Sequence, residues 1–449
     1  MSWIFIIFAE NLMSLAITSA EVIDSCSPYN GKKINFIVQN NNITFIEKAI
    51  GKSPSAEFIA LAGKCKEKIS ALGFSVSPGW VDMRVTIPDP GFEYKEDLHS
   101  GCQAAINGGF TEIAILPETE PNIQNKDTLA YIHAKTKDEL VSVHCIAALT
   151  ENRKDKTLTE MLDLHHHGAV GFSNGNIPVS NSGILVRALQ YSRPFDGLVI
   201  VHAEDESLSG MGVVNEGTVS VSLGLKGKPS LSEEIAVSGF IDLLRYAEGR
   251  LHISHVSTAQ AVSLIRKAKK EGLQITCDVA AHQLSLDESC LVGFDTRFKF
   301  NPPLRTQKDI HALIEGIKDE TIDAIVSDHC PQDTEAKEVE FEHAANGAST
   351  IETAFASAVT ALRGKIQIET IIKCFTSAPR KIVRLPEMVI DKNYPANLTF
   401  FNQNKKWVVS PAMFKSKSKY SPFEGKELTG APVFCVNKGK VGRTMHGLN

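Results

Sequence analysis

Residues 77–91 read SPGWVDMRVTIPDPG, a loop, a short apolar run and a Pro/Gly turn. As a strand, the run alternates, and Asp82, Arg84 and Thr86 fall on one face with Val81, Met83 and Val85 on the other. An acid, a guanidinium and a hydroxyl in one row on an apolar strand mark the strand as one that carries chemistry at its C-terminal end.

Seven further apolar runs follow: EIAILP (112–117), SVHCIAAL (142–149), AVGFS (169–173), LVIVHAE (198–204), LHISHVS (251–257), LQITCDV (273–279) and DAIVSDH (323–329). Amphipathic stretches such as KEDLHSGCQAAINGG (95–109) and TAQAVSLIRKAKKEG (258–272) lie between runs. Eight strands alternating with helices over residues 76–390 predict an α/β fold, a (β/α)8 TIM-type barrel. Residues 1–75 and 391–449 are β-like instead. KINFIVQNNNITFI (33–46) carries a hairpin signal, and ANLTFFN (396–402), KWVVS (406–410) and PVFCVNKGKVGR (432–443) read as strands. Both flanks together predict one small composite β-sandwich domain built from the two termini.

The chain of 449 residues is 43% hydrophobic and 22% charged, which is ordinary for a globular protein. A net charge of −5 without a long Lys/Arg run excludes a nucleic-acid face. Nine cysteines without CxxC spacing point to reduced thiols and a cytoplasmic location. The apolar run Trp3–Ala9 is too short to span a bilayer, has no Lys or Arg before it, and is followed by Glu10. It reads as an extra strand or as sequence upstream of a natural start at Met13, the second being favoured. Neither secretion nor membrane insertion is expected.

In a barrel of this kind the reacting groups sit at the C-terminal ends of the strands. Those ends place Arg84, Thr86, Glu118, Asn174, His202, His255, Asp278 and Asp328 at the mouth. His202, His255 and Asp328 are ligand types suited to zinc, although a single such histidine is more often a hydrogen-bonded structural residue. His252 and His255 are three apart, so alternation lets only one of them point inward. His165, His166 and His167 precede Gly168 at a helix end and read as a solvated terminus rather than a metal site.

The motifs SPGWVD with PDPG, GGFTEIAILPETEP (108–121), GAVGFSNG (168–175), HAEDE (202–206), FKFNPPLR (298–305), IVSDHCP (325–331) and SPFEGKELTG (421–430) resemble those of the dihydroorotase family of cyclic amidohydrolases, over about residues 30–445. The resemblance implies a metal-dependent hydrolase of a cyclic amide in pyrimidine synthesis. In that family a metal lowers the pKa of its bound water, and the aspartate matched by Asp328 moves the proton as catalytic base and acid.

The sequence departs from the family where that chemistry needs it. The first strand of the family carries Asp-x-His-x-His, and Arg84 and Thr86 stand at the two histidine positions. A guanidinium stays protonated and has no lone pair for a metal. Asn174 stands at the bridging carboxylate, leaving His202, His255 and Asp328 as an incomplete metal set. In the substrate-binding set, Pro88 replaces the arginine that holds the substrate carboxylate and Glu118 its partner asparagine, while Asn301 is kept. The resemblance is therefore to non-catalytic members that have lost metal ligands and pair with aspartate transcarbamoylase. No cofactor is expected, a homodimer is, and Arg84 is expected to neutralise Asp328 or Glu118. The alternatives are an active hydrolase with a weak residual zinc site, and a metal-free small-molecule-binding or adaptor protein. Residues 329–350, an acidic and polar segment near the mouth, are expected to be mobile.

Overall fold

A computed structural model describes residues 14–49 and 53–447. The run Trp3–Ala9 and Met13 lie outside the described residues.

All eight expected barrel strands form: β6 (Trp80–Val85), β7 (Phe110–Ile115), β8 (Ser142–Ala148), β9 (Ala169–Ser173), β10 (Leu198–Val201), β13 (Arg250–Ile253), β14 (Ile275–Ala280) and β15 (Ala324–Val326). Between β10 and β13 a two-stranded ribbon intervenes, β11 (Val214–Asn215) and β12 (Gly227–Lys228). The barrel strands pair in sequence order and in parallel. A parallel bridge between Val85 and His329 brings the last strand back to the first. Met83, Ala114, Leu116, Ile146, Ile200, Ala324 and Val326 form one cluster. Side chains from five strands meet only across the barrel interior, so this cluster fills its floor.

Met83 inside the barrel corrects the simple alternation expected of 82–86. The pairing of β6 with β7 shifts register between Asp82 and Val85. Such an irregularity turns successive side chains from the strict two-residue period. Met83 reaches the floor while Arg84 still points into the mouth.

The flanking strands are β1 (Ser14–Val22), β2 (Lys33–Gln39), β3 (Asn42–Lys48), β4 (Glu67–Ser70), β5 (Ser75–Pro78), β16 (Leu398–Val408), β17 (Glu427–Asn437) and β18 (Lys440–Arg443). They form one sheet ordered β18-β17-β16-β5-β1-β2-β3, with β4 against β1. Phe36 on β2 and Phe400 on β16 stack at 6.3 Å although two strands lie between theirs. Three flat strand spacings would set them about 14 Å apart. The sheet therefore curls over its own core, giving the two-layered packing expected of a sandwich. The runs 396–402 and 406–410 belong to one strand, β16, whose pairing slips between Asn402 and Lys406.

Sheet and barrel meet at Gly79, where a Cβ would lie 1.9 Å from Asn397 Oδ1 and 2.1 Å from Thr111 Oγ1. The next residue, Trp80, is fully buried among Phe110, Phe355, Phe375 and Phe401. Beside it Glu112 accepts from Arg380 Nη2 at 2.5 Å and Asn397 Nδ2 at 2.6 Å, and pairs with His144 Nε2 at 2.8 Å. Burial pushes the Glu112 carboxyl up, but His144 and Arg380 outweigh it and bring the pKa down to about 2.

Residues 329–350, the segment expected to be mobile, mix buried side chains such as Phe341 and Ala344 with exposed ones such as Val339. Lys337 is buried, and its ammonium donates to Ala345 O at 3.0 Å and Gly347 O at 2.9 Å. Among the described residues no helix is long and apolar enough to cross a membrane.

Candidate functional site

At the mouth, Arg84 is 1% exposed and its guanidinium makes three hydrogen bonds. Its Nε donates to Asp328 Oδ1 at 3.0 Å, its Nη1 to Ser254 Oγ at 3.2 Å, and its Nη2 to Asn176 Oδ1. Of the two partners expected for Arg84, the structure selects Asp328. Burial pushes the Asp328 carboxyl up to about 6, with Arg84 pulling against it. The guanidinium thus stands against the carboxylate that, by resemblance, serves metal and proton transfer.

His255 lies beside the same pair, with Nε2 3.7 Å from Asp328 Oδ2. Burial first, and Arg84 next, hold its pKa well below the ordinary histidine value, so the ring is neutral near pH 7. Neither ring nitrogen has a hydrogen-bond partner. His252 also turns inward, correcting the expectation that only one of the two histidines would. Its Nε2 is 2.9 Å from Asp278 Oδ2, which also accepts from Ser254 Oγ at 2.7 Å. β13 ends at Ile253, so His255 lies past the pleat and the two-residue period no longer governs it.

His202 belongs to a second group. Its Nε2 lies 3.1 Å from Glu204 Oε2 and 3.2 Å from Asn301 Nδ2. Lys228 Nζ joins them, 2.7 Å from both Glu204 Oε1 and Asn301 Oδ1. Against the upward push of burial, His202 and Lys228 hold Glu204 well below the usual carboxylate range. Asn301, expected to bind substrate, is tied to His202, Glu204 and Lys228.

Asn174 is turned aside. Its Oδ1 accepts from the Thr150 amide and hydroxyl, each at 3.1 Å. Thr86 donates to Glu118 Oε2 at 3.3 Å. Glu118 finds its cation in Arg153, whose Nη1 is 3.1 Å from Oε1. Neither Arg153 nor Asn176 stood out in the sequence. Arg153 sits in a loop with positive φ at Asn152, Arg153 and Asp155, a backbone path that no apolar period announces.

These residues do not fit the dinuclear zinc centre that the resemblance implies. The Asn174 amide oxygen is bonded to Thr150, Arg84 is a cation at a ligand position, and His202 Nε2 is turned to Glu204. Among the described residues no three His, Cys, Asp or Glu side chains are grouped to hold a metal ion.

Residues 73–261 match the family model described as dihydro-orotase-like. A dihydroorotase from Syntrophus aciditrophicus is 37% identical over 96% of this chain and 99% of its own length. One from Acetivibrio thermocellus is 40% identical over 95% and 98%. Among solved structures, the L-hydantoinase of Arthrobacter aurescens superposes with a TM-score of 0.83 at 23% identity, covering 97% of each chain. The dihydropyrimidinase of Brevibacillus agri gives 0.79 at 19% identity, covering 97% of this chain and 96% of its own. At that identity the two structures speak for the fold alone, an amidohydrolase barrel with an added β-domain. The near-full-length similarity to dihydroorotases settles the family: this chain belongs to the dihydroorotases.

Proposed function

We propose that this protein serves pyrimidine biosynthesis in the cytoplasm as a non-hydrolytic member of its family, a homodimer that acts as a structural partner of aspartate transcarbamoylase. The observation that carries the loss of hydrolysis is the buried Arg84–Asp328 pair. A metal-dependent hydrolase needs a Lewis acid beside the aspartate and a free carboxylate to move a proton. Here a fixed cation that cannot bind water as a ligand neutralises that carboxylate. The substrate side supports the same reading, since Glu118 presents a carboxylate where a substrate carboxylate would need attraction. The partner rests on the resemblance to non-catalytic members.

Hydrolysis of dihydroorotate in the presence of zinc tests the first part. Turnover no faster than in buffer is expected, and turnover that requires Asp328 overturns it. Co-purification with aspartate transcarbamoylase from the same cells tests the second. Failure to associate with the purified transcarbamoylase removes the partner.

One observation favours a second reading, a reduced mononuclear hydrolase. His202 Nδ1 and both ring nitrogens of His255 are buried without a hydrogen-bond partner, and buried polar atoms ordinarily have one. On that reading zinc-dependent turnover is present and is lost in His202→Ala.

A further inference from the structure

Glu118 accepts hydrogen bonds on both of its carboxylate oxygens. Its Oε1 accepts from Arg153 Nη1 at 3.1 Å and from the Asn176 backbone N–H at 2.8 Å. Its Oε2 accepts from Asn176 Nδ2 at 3.1 Å and Thr86 Oγ1 at 3.3 Å. Two oxygens thus meet four donors: a guanidinium, a main-chain amide, a carboxamide and a hydroxyl. The donors come from the segments after three different strands, β6, β8 and β9, and the acceptor from the segment after a fourth, β7.

The backbone is shaped around the same carboxylate. Gly175 has φ +65°, and a Cβ there would lie 2.5 Å from Glu118 Oε1. A left-handed residue without a side chain gives the carboxylate its space and lets the Asn176 N–H face it. Arg153 is further fixed by Nε donating to Asn122 Oδ1 at 2.9 Å and Nη1 to Asn174 O at 3.3 Å. The cradle is therefore held by neighbours other than Glu118. The side chains of Glu118 and Arg153 stay 15% and 20% exposed, so the pair is not sealed from solvent.

We propose that Glu118 is a built-in ligand: Arg153, Asn176 and Thr86 form a carboxylate-binding site that the protein fills with its own side chain. A small carboxylate-bearing molecule competes with Glu118 for that site. The chemistry that recognises the ligand is one planar carboxylate offered to a guanidinium and three neutral donors. This rests on and deepens the non-hydrolytic reading, because Glu118 is, by the resemblance, a substrate-binding position and here is bonded as a ligand itself.

The test is rescue by acetate in the full-length protein. Glu118→Ala is compared with the native chain and with Glu118→Ala/Arg153→Ala, in sodium acetate and in sodium chloride at equal ionic strength. The expected result is a lowered melting temperature in Glu118→Ala that acetate restores saturably and chloride does not. Acetate binding by isothermal titration is expected to be at least about tenfold weaker in the native chain, and absent in the double variant. Should Glu118→Ala fail to fold in chloride, recovery of folded protein by refolding in acetate supports the site. No acetate-specific recovery overturns the proposal, as does equal rescue with and without Arg153. None of these readings involves zinc or turnover, so failure here is distinct from failure of the non-hydrolytic reading.

Discussion

Arg84 sets the charge at the centre of the barrel mouth. With Asp328 it forms an ion pair in which the side chains are 2% and 9% exposed. Truncating one partner of such a pair leaves the other charge buried and unpaired, at a cost of about 3–5 kcal/mol. Arg84→Ala is therefore expected to destabilise the chain by that order, seen as a lower midpoint in chemical denaturation. The double variant Arg84→Met/Asp328→Leu removes both charges and is expected to lose less than Arg84→Ala alone. An unchanged midpoint in Arg84→Ala would show that the guanidinium does not hold the buried carboxylate. The importance of Arg84 was legible in the sequence, because position and charge both conflict with metal binding. Its choice of Asp328 over Glu118 was not, since that depended on Arg153 reaching Glu118 from a loop.

The strands were legible because each is a short apolar run closed by polar or special residues, as in LVIVHAE and DAIVSDH. What the pattern hid were the places where a period breaks. The register shift in β6 brings Met83 inward, and the end of β13 frees His255 from alternation. The slip in β16 joins two apparent strands.

At this level the junction of barrel and sheet gives two predictions. Gly79→Ala places a methyl within 2.1 Å of both Asn397 and Thr111 side-chain oxygens. The buried Asn397 and Thr111 side chains must shift, and the melting temperature is expected to fall. Glu112 gives a pH dependence whose sign follows from its depressed pKa. From the ordinary value of 4.5 it falls to about 2 in the folded chain. The stability it contributes is complete above its unfolded value and is lost as pH falls toward the folded one. Glu112→Gln is expected to be less stable than the native chain at pH 7, with the gap closing between about pH 4.5 and 2. A gap that stays constant across that window would show that the carboxylate charge is not what Arg380 and His144 recognise.

Taken as a whole, the molecule has the barrel-and-sheet frame of its family, with mouth groups bonded to one another in charge pairs. The two largest hydrophobic clusters pack the barrel strands against their helices and fill the flanking sheet. Phe401 on β16 and Cys435 on β17 belong to the main core cluster together with barrel residues such as Trp80 and Phe110. Removing residues 427–449 therefore uncovers barrel core as well as the edge of β16. Such a truncation is expected to give insoluble or proteolysed protein, read by limited proteolysis against the full chain. On the proposed non-hydrolytic reading, a protein assembled this way keeps its shape, and with it the surface offered to a partner, without a working metal site. The most direct test is zinc content by mass spectrometry on protein prepared with excess zinc, with dihydroorotate hydrolysis assayed on the same sample. The Arg84–Asp328 pair predicts neither stoichiometric zinc nor turnover. About one zinc per chain together with turnover that disappears in His202→Ala would contradict it.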